Sequence, residues 1–122
     1  METVRLNEVV RDIEIDGLRC IAKQLGTLLI PYIYNMSATW LCGYVEVPKG
    51  HIFYGKDYSE IEDYFVEVEL TYSGELENCD GWFVGFDLAH YDDDLRNPDT
   101  RKAHLHTLHL VDVINKNKKL LK

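Results

Sequence analysis

The sequence predicts an α+β fold, in which a small antiparallel sheet carries a short helix and a packed C-terminal helix. Most apolar segments are short and are bounded by Gly, Pro or Asp-Gly, which is typical of strands. The clearest helical spacing of apolar residues lies in the last 23 residues, 100–122. The length of 122 residues is that of one domain, so we expect residues 1–122 to form a single domain.

The first half is predicted to consist of strands and turns. Asp16-Gly17 lies between two short runs and predicts the type I′ turn of a hairpin over residues 13–21. Residues 28–34 are a strand or a loop interrupted at Pro31. Residues 40–47 are aromatic and β-branched and precede Pro48, so they predict a strand, in which we expect Trp40 to be buried.

The second half begins with a predicted loop over residues 48–58. Ser59 is predicted to cap a short helix that ends near residue 65, with Glu62 completing a capping box. Residues 66–72 alternate with period two, which predicts a half-buried strand ending at Ser73-Gly74.

Two further elements complete the prediction. Residues 81–87 are apolar on both faces and predict an interior strand. The final helix is predicted to begin at Asp99 or Thr100, and one apolar stripe is expected to face the sheet. The residues of this stripe are Leu105, Leu108, Val111 and Ile114.

The charge is distributed unevenly along the chain. The net charge is −8, and residues 57–99 contain fourteen acidic residues against Arg96 alone. A direct nucleic-acid binder needs clustered Lys and Arg, so we expect no direct nucleic-acid binding. The acidic segment is either a solvated face that aids solubility or a surface that docks on a basic partner.

Neither a membrane nor an oxidising compartment is indicated. The longest apolar run, residues 26–34, is too short to span a bilayer, and no secretory signal is recognisable. Cys20, Cys42 and Cys79 are odd in number and widely spaced, which argues against zinc and redox motifs. We expect Cys20 and Cys42 to be buried free thiols, and the protein to be cytosolic.

The loop at 48–58 is a candidate binding site for an anionic ligand. Glycine N–H groups, lysine charges and ring side chains together suit a nucleotide. The alternative is a structural loop pinned by buried tyrosines. The candidate residues are Lys49, Gly50, His51, Tyr54, Lys56 and Tyr58.

A second candidate segment runs from Trp82 to Asp94. Asp87, His90 and Asp92 suit a metal or an acid/base pair with His51, but the same residue types often hold a turn. The spacing does not match a calcium loop, so we expect neither a metal nor a cofactor. We expect solvated positions for the helix histidines His104, His106 and His109.

The chain resembles a family of small accessory proteins that is frequent in bacteriophage genomes. The resemblance covers about residues 40–91, with V-E-V-E at 66–69 where the family pattern has V-H-G-G. The matching motifs are WLCGYV at 40–45, VPKGH at 47–51, YGKDY at 54–58, LTYSG at 70–74 and WFVGFDLAH at 82–90. The resemblance implies expression in the host bacterial cytosol and a role in inhibiting bacterial immunity.

The leading functional hypothesis is a non-enzymatic counter-defence protein that captures a small nucleotide-like ligand. Lys49 and Lys56 would hold phosphate, His51 and Tyr54 would make polar or stacking contacts, and the walls of the site would be Trp82 and His90. The predicted ligand-binding set also includes Gly50, Tyr58 and Asp87.

Two other functional hypotheses remain. The first is an acidic, anti-CRISPR-like inhibitor that binds a basic host defence nuclease and occludes its nucleic-acid-binding surface. Its contacts would be Glu60, Glu62, Asp63, Asp92, Asp93 and Asp94. The second, ranked last, is a small hydrolase using His51, Asp87 and His90. Homo-oligomerisation is left open.

Overall fold

The computed structural model describes residues 2–30, 38–88 and 100–117. Its five strands form one antiparallel sheet in the order β1-β2-β3-β5-β4, and the C-terminal helix packs on one face. The predicted α+β fold is therefore confirmed. The elements are β1 Glu2–Ile15, β2 Leu18–Ile30, β3 Ala38–Val47, α1 Tyr58–Ile61, a 3-10 turn Glu62–Tyr64, β4 Tyr72–Leu76, β5 Cys79–Asp87 and α2 Thr100–Asn117.

The predicted Asp-Gly hairpin is present and is much longer than expected. Asp16 and Gly17 have φ angles of 49° and 85°, as a type I′ turn requires. The two strands contain 14 and 13 residues, because pairing continues from the turn to the Glu2–Ile30 pair. The strand assignment for 28–34 therefore holds through residue 30, and residues 31–34 lie outside the described residues.

The predicted strand at 40–47 is confirmed as β3, but the burial of Trp40 is wrong. Trp40 is only half-buried and lies opposite Leu25 on the sheet face away from α2. Strand alternation sends Leu41 and Val45 to the α2 face, where they join the main core, and therefore sends Trp40 to the other face.

The short helix begins two residues earlier than predicted. Two overlapping capping boxes are present in the sequence, and the cap is Asp57 rather than Ser59. The Asp57 carboxylate accepts a hydrogen bond from the Ser59 N–H at 3.1 Å, and the Glu60 carboxylate accepts one from the Asp57 N–H at 3.0 Å. The hydrogen bonds from Ser59 lower the pKa of Asp57, which keeps the cap charged.

The predicted strand at 66–72 is wrong. Residues 66–71 form turns and irregular backbone, β4 begins at Tyr72, and Ser73-Gly74 lies inside it. The period-two alternation of apolar residues reflects burial of side chains rather than strand pairing. Val68 and Leu70 are buried, while Val66 is 82% exposed. Apolar side chains can alternate into a core without a hydrogen-bonded ladder.

The predicted interior strand at 81–87 is confirmed as β5. It lies between β3 and β4, and Phe83 and Phe86 are buried on its two faces. Phe86 joins the main core under α2, and Phe83 joins a smaller cluster with Ile21 and Leu76 on the opposite face.

The final helix is confirmed as α2, but half of its predicted core stripe is wrong. Leu105 and Leu108 are 59% and 37% exposed. Small side chains face the sheet instead, because the helix approaches closely: a Cβ at Gly43 would lie 3.1 Å from the Thr107 hydroxyl. The buried residues of α2 are Ala103, Thr107, Leu110, Val111, Val113 and Ile114.

Cys20 and Cys42 are buried free thiols, as predicted. Burial raises the pKa of each thiol to about 11, so both are protonated near neutral pH. None of the described helices is long and apolar enough to span a membrane.

Candidate functional site

The candidate loop between β3 and α1 is a series of tight turns. The amides of His51, Tyr54 and Lys56 donate to carbonyls three residues earlier, at 3.0, 2.9 and 3.2 Å. Gly50 and Gly55 have φ angles of 93° and 76°, which glycine adopts without strain. These three N–H groups already have partners within the loop, so they do not point outward as an anion cradle would require.

His51 anchors this loop to the end of α2. Its side chain is buried, and its Nδ1 accepts a hydrogen bond from the Phe53 N–H at 3.0 Å. Its Nε2 lies 2.8 Å from the Ile114 carbonyl oxygen, which can only accept, so Nε2 carries the proton. Both ring nitrogens are therefore engaged in contacts that hold the fold.

The other loop candidates lie at the surface. Lys49, Gly50 and Lys56 are exposed, Tyr54 is 36% exposed and Tyr58 is half-buried. The alternative prediction, that buried tyrosines pin the loop, is wrong. Phe53 does so instead: it is 0% exposed and packs 4.9 Å from Tyr64 and 5.5 Å from Phe65, measured between ring centroids.

Trp82 and Asp87 stand at opposite ends of β5. Trp82 pairs with Val47, next to the loop, and its ring lies 6.2 Å from that of Tyr54. Asp87 pairs with Cys42, five residues further along the strand, or about 16 Å away. The structure thus brings Trp82, but not Asp87, to the loop. His90 lies outside the described residues.

Asp87 lies near two groups that hold their protons. Burial is the main cause that raises the pKa of Cys42 to about 11 and raises the pKa of Tyr44 well above its usual value, and the Asp87 charge adds to both effects. His51 is at the other end of the sheet. The described members of the hydrolase hypothesis, His51 and Asp87, are therefore not assembled into an acid/base pair.

The helix histidines are more engaged than predicted. His104 is exposed and its Nδ1 lies 2.9 Å from the Arg11 guanidinium. The prediction of solvated positions is wrong for the other two: the His106 ring is 5.2 Å from that of Phe86, and His109 accepts a hydrogen bond from the Glu67 N–H at 3.3 Å. Within the described ranges, no group of three or more His, Cys, Asp or Glu side chains could hold a metal ion.

The acidic segment forms a densely charged surface on the described part of the chain. Residues 57–88 contain ten carboxylates and neither Lys nor Arg. Nine of the ten are exposed, and only Asp87 is half-buried. The exposed ones are Asp57, Glu60, Glu62, Asp63, Glu67, Glu69, Glu75, Glu77 and Asp80.

This acidic surface, defined by those nine residues, differs in extent from the predicted partner site. Glu60, Glu62 and Asp63 belong to it, whereas Asp92, Asp93 and Asp94 lie outside the described residues. The sequence reasoning did not single out the five carboxylates from Glu67 to Asp80. The sequence does contain a signal for their exposure, because each of the five carboxylates alternates with an apolar residue or lies in a turn.

Sequence reasoning also missed a cavity of about 250 Å³ between α2 and the sheet. Its buried lining includes Leu41, Gly43 and Ala103, and its rim includes half-buried Arg11 and exposed His104. The cavity depends on where small residues of α2 meet small residues of the sheet, and helix placement of this kind is not readable from local patterns.

Comparisons of the chain with protein-family models, with curated proteins and with solved structures found no match. The resemblance to bacteriophage proteins therefore stays a prediction.

Proposed function

We propose that this is a non-enzymatic binding protein whose acidic surface docks on the basic surface of a partner protein. The observation that carries the proposal is the set of nine exposed carboxylates between Asp57 and Asp80, in a described stretch that contains no Lys or Arg. Charge of one sign on this scale steers a protein toward a partner of opposite sign and repels others.

Two backbone hydrogen bonds tie the segments that carry several of these carboxylates to the rest of the fold. The Tyr58 N–H donates to the Ser73 hydroxyl at 2.9 Å, which fixes the start of α1 beside β4. The backbone N–H of Glu67 bonds to His109 of α2, which holds the following segment. Because these hydrogen bonds position the backbone segments that bear the carboxylates, the acidic surface is preorganised rather than a loose acidic tail.

The proposed partner is a protein that normally holds nucleic acid. Such proteins present Lys and Arg clusters that neutralise phosphates, and a fixed array of carboxylates competes for the same cations. The resemblance to bacteriophage proteins supports a nuclease of bacterial immunity as the partner, with binding in the host cytosol. The protein would then act by occluding the surface on which the nuclease holds DNA or RNA.

Capture of a nucleotide-like ligand by the 48–58 loop is less well supported by the geometry. The loop amides of His51, Tyr54 and Lys56 donate to loop carbonyls, and both ring nitrogens of His51 are engaged. Lys49 and Lys56 supply charge without the backbone donors that usually accompany phosphate binding.

The test is a displacement assay with a panel of purified bacterial defence nucleases, RNA-guided nucleases included. Each is incubated with labelled target nucleic acid and increasing amounts of this protein. We expect at least one nuclease to lose its nucleic acid at near-stoichiometric protein. The apparent affinity should fall about tenfold or more between 50 and 300 mM salt, because opposite charges are screened.

A matched pair of variants separates the acidic surface from net charge. Glu62→Gln with Glu67→Gln removes two charges from it, and Asp16→Asn with Asp112→Asn removes two exposed charges elsewhere. Only the first pair should weaken displacement. Equal loss in both pairs, or nucleic-acid binding that is undisturbed across the panel at 50 mM salt, would contradict the proposal.

A further inference from the structure

The β1 edge of the sheet is long, has exposed apolar residues at its centre, and is paired on one side only among the described strands. β1 contains 14 residues and occupies the end of the strand order, so β2 is the only described strand that pairs with it. Val9 and Val10 are 55% and 46% exposed, and Val4 and Ile13 are 38% and 39% exposed. An edge of this kind presents unpaired backbone N–H and C=O groups to a further strand.

The sequence of β1 complements itself when it is read antiparallel about a centre between Val9 and Val10. In that register Arg5 lies opposite Glu14 of a second copy, and Glu8 lies opposite Arg11. The two-fold axis repeats both pairs, so four pairs of opposite charge flank an apolar centre. The apolar residue Leu6 lies opposite Ile13 in the same register.

The bulge in β1 is what allows this register. Opposite residues in an antiparallel pair point to the same face, and strand alternation would place Arg5 and Glu14 on different faces because they are nine residues apart. The register on β2 shifts between Val9 and Arg11, so that Arg5 pairs with Thr27 and Glu14 pairs with Arg19. Thr27 and Arg19 are eight residues apart on β2, and Arg5 and Glu14 therefore share a face.

The inner charged pair, Glu8 and Arg11, also meets the requirement that opposite residues point to the same face. Glu8 pairs with Gln24 and Arg11 pairs with Ala22, two residues apart on β2, so Glu8 and Arg11 also share a face. Arg11 already contacts His104 of α2 through one terminal nitrogen, which places this face on the helix side. The guanidinium has five N–H donors, so it can accommodate a carboxylate as well.

We propose that two copies of this chain pair antiparallel through β1 in this register, which joins their sheets edge to edge. The opposite edge does not favour a second copy: β4 has five residues and carries Glu75. Pairing through β1 also keeps the two acidic surfaces at the far ends of the joined sheet, which limits repulsion between chains of net charge −8. This inference is independent of the proposed function.

The test is sedimentation of the full chain over a wide concentration range. The wild type should show a dimer of twice the 14.2 kDa chain mass. Arg5→Glu alone or Glu14→Arg alone sets like charges opposite each other at two places, so each should weaken dimerisation roughly 30- to 100-fold. An equimolar mixture of the two variants should form a heterodimer, because every facing pair is again of opposite charge, and the double variant should dimerise with itself.

Hydrogen exchange on the wild type provides a measurement that needs no variant. Amides of β1 that face away from β2 should gain protection as the concentration rises, and those of β4 should not. A wild-type monomer at all concentrations, single variants that still dimerise, a mixture that stays monomeric, or β1 protection that is independent of concentration would each overturn the proposal.

Discussion

The two edge strands of the sheet, β4 and β1, differ in length and in how they contact the rest of the fold. β4 is a five-residue edge whose neighbours belong to the acidic surface, and the start of α1 is bonded to it through Ser73. β1 is a 14-residue edge with exposed valines, and among its described hydrophobic side chains Ile15 alone packs against the main core. Short length and charge of one sign are the usual protections against unwanted strand pairing. β4 is short and carries Glu75, whereas β1 is long and carries charges of both signs.

The difference indicates which side of the sheet stabilises the monomer. On the β4 side, the loop at 48–57 and the residues after α1 drive Phe53 and Phe65 into the main core. Along β1, the side chains before the bulge are largely exposed and contribute little to the monomer. Ordering β1 costs conformational entropy, and in the monomer the strand buries little apolar surface to offset that cost. A partner that covers β1 best explains its length and its exposed apolar residues.

The largest expected effect tests the anchoring of the β4 side. Phe53→Ala removes a ring that is 0% exposed and should lower the free energy of unfolding by about 3–5 kcal/mol. Val9→Ala removes a side chain that is 55% exposed and should lower it by less than about 0.5 kcal/mol. Urea denaturation measures both, at a concentration where the chain is monomeric. Similar losses would mean that the two sides are equally anchored.

A smaller effect compares the turns that lead to the two edges. Gly17 has a φ of 85° and free space where a Cβ would lie, so Gly17→Ala should cost about 1–2 kcal/mol through backbone strain alone. Asn78, in the β4–β5 turn, has a φ of 62°, and Asn78→Gly should change stability by less than about 0.5 kcal/mol. Thermal melting of both variants checks the order, and a Gly17→Ala protein as stable as the wild type would argue against the type I′ geometry.

Much of this fold could be predicted from local patterns. The Asp16-Gly17 turn, the β3 strand before Pro48 and the two-faced β5 each carry a chemical signal within a few residues. The errors arose where two patterns competed. Residues 66–71 lie outside the strands although buried Val68 and Leu70 alternate with exposed residues, and Leu105 and Leu108 have helical spacing but are exposed.

The candidate site was less predictable, because it depends on which distant residues meet. The composition of the loop suggested that His51 binds a ligand. Its ring nitrogens instead form hydrogen bonds with the Phe53 N–H and with the carbonyl of Ile114, 63 residues away. Asp87 and Trp82 are only five residues apart in sequence, but they lie far apart in space because β5 is extended between them. The acidic segment was visible from charge counts alone, whereas the bulge that gives β1 its self-complementary register required the pairing with β2.

The smallest expected effect concerns the exposed lysines of the loop. Lys49→Ala with Lys56→Ala should change the free energy of unfolding by less than about 0.5 kcal/mol, since both side chains are exposed. Docking through the acidic surface should be unchanged or slightly stronger, because two positive charges are lost from an anionic protein. Nucleotide capture predicts the opposite: cyclic or linear nucleotides should stabilise the wild type, by about 2.7 kcal/mol at 100 times Kd, and not the double variant. Thermal melting with millimolar nucleotides decides between them. A midpoint that rises only in the wild type would move the binding site from the acidic surface to the loop.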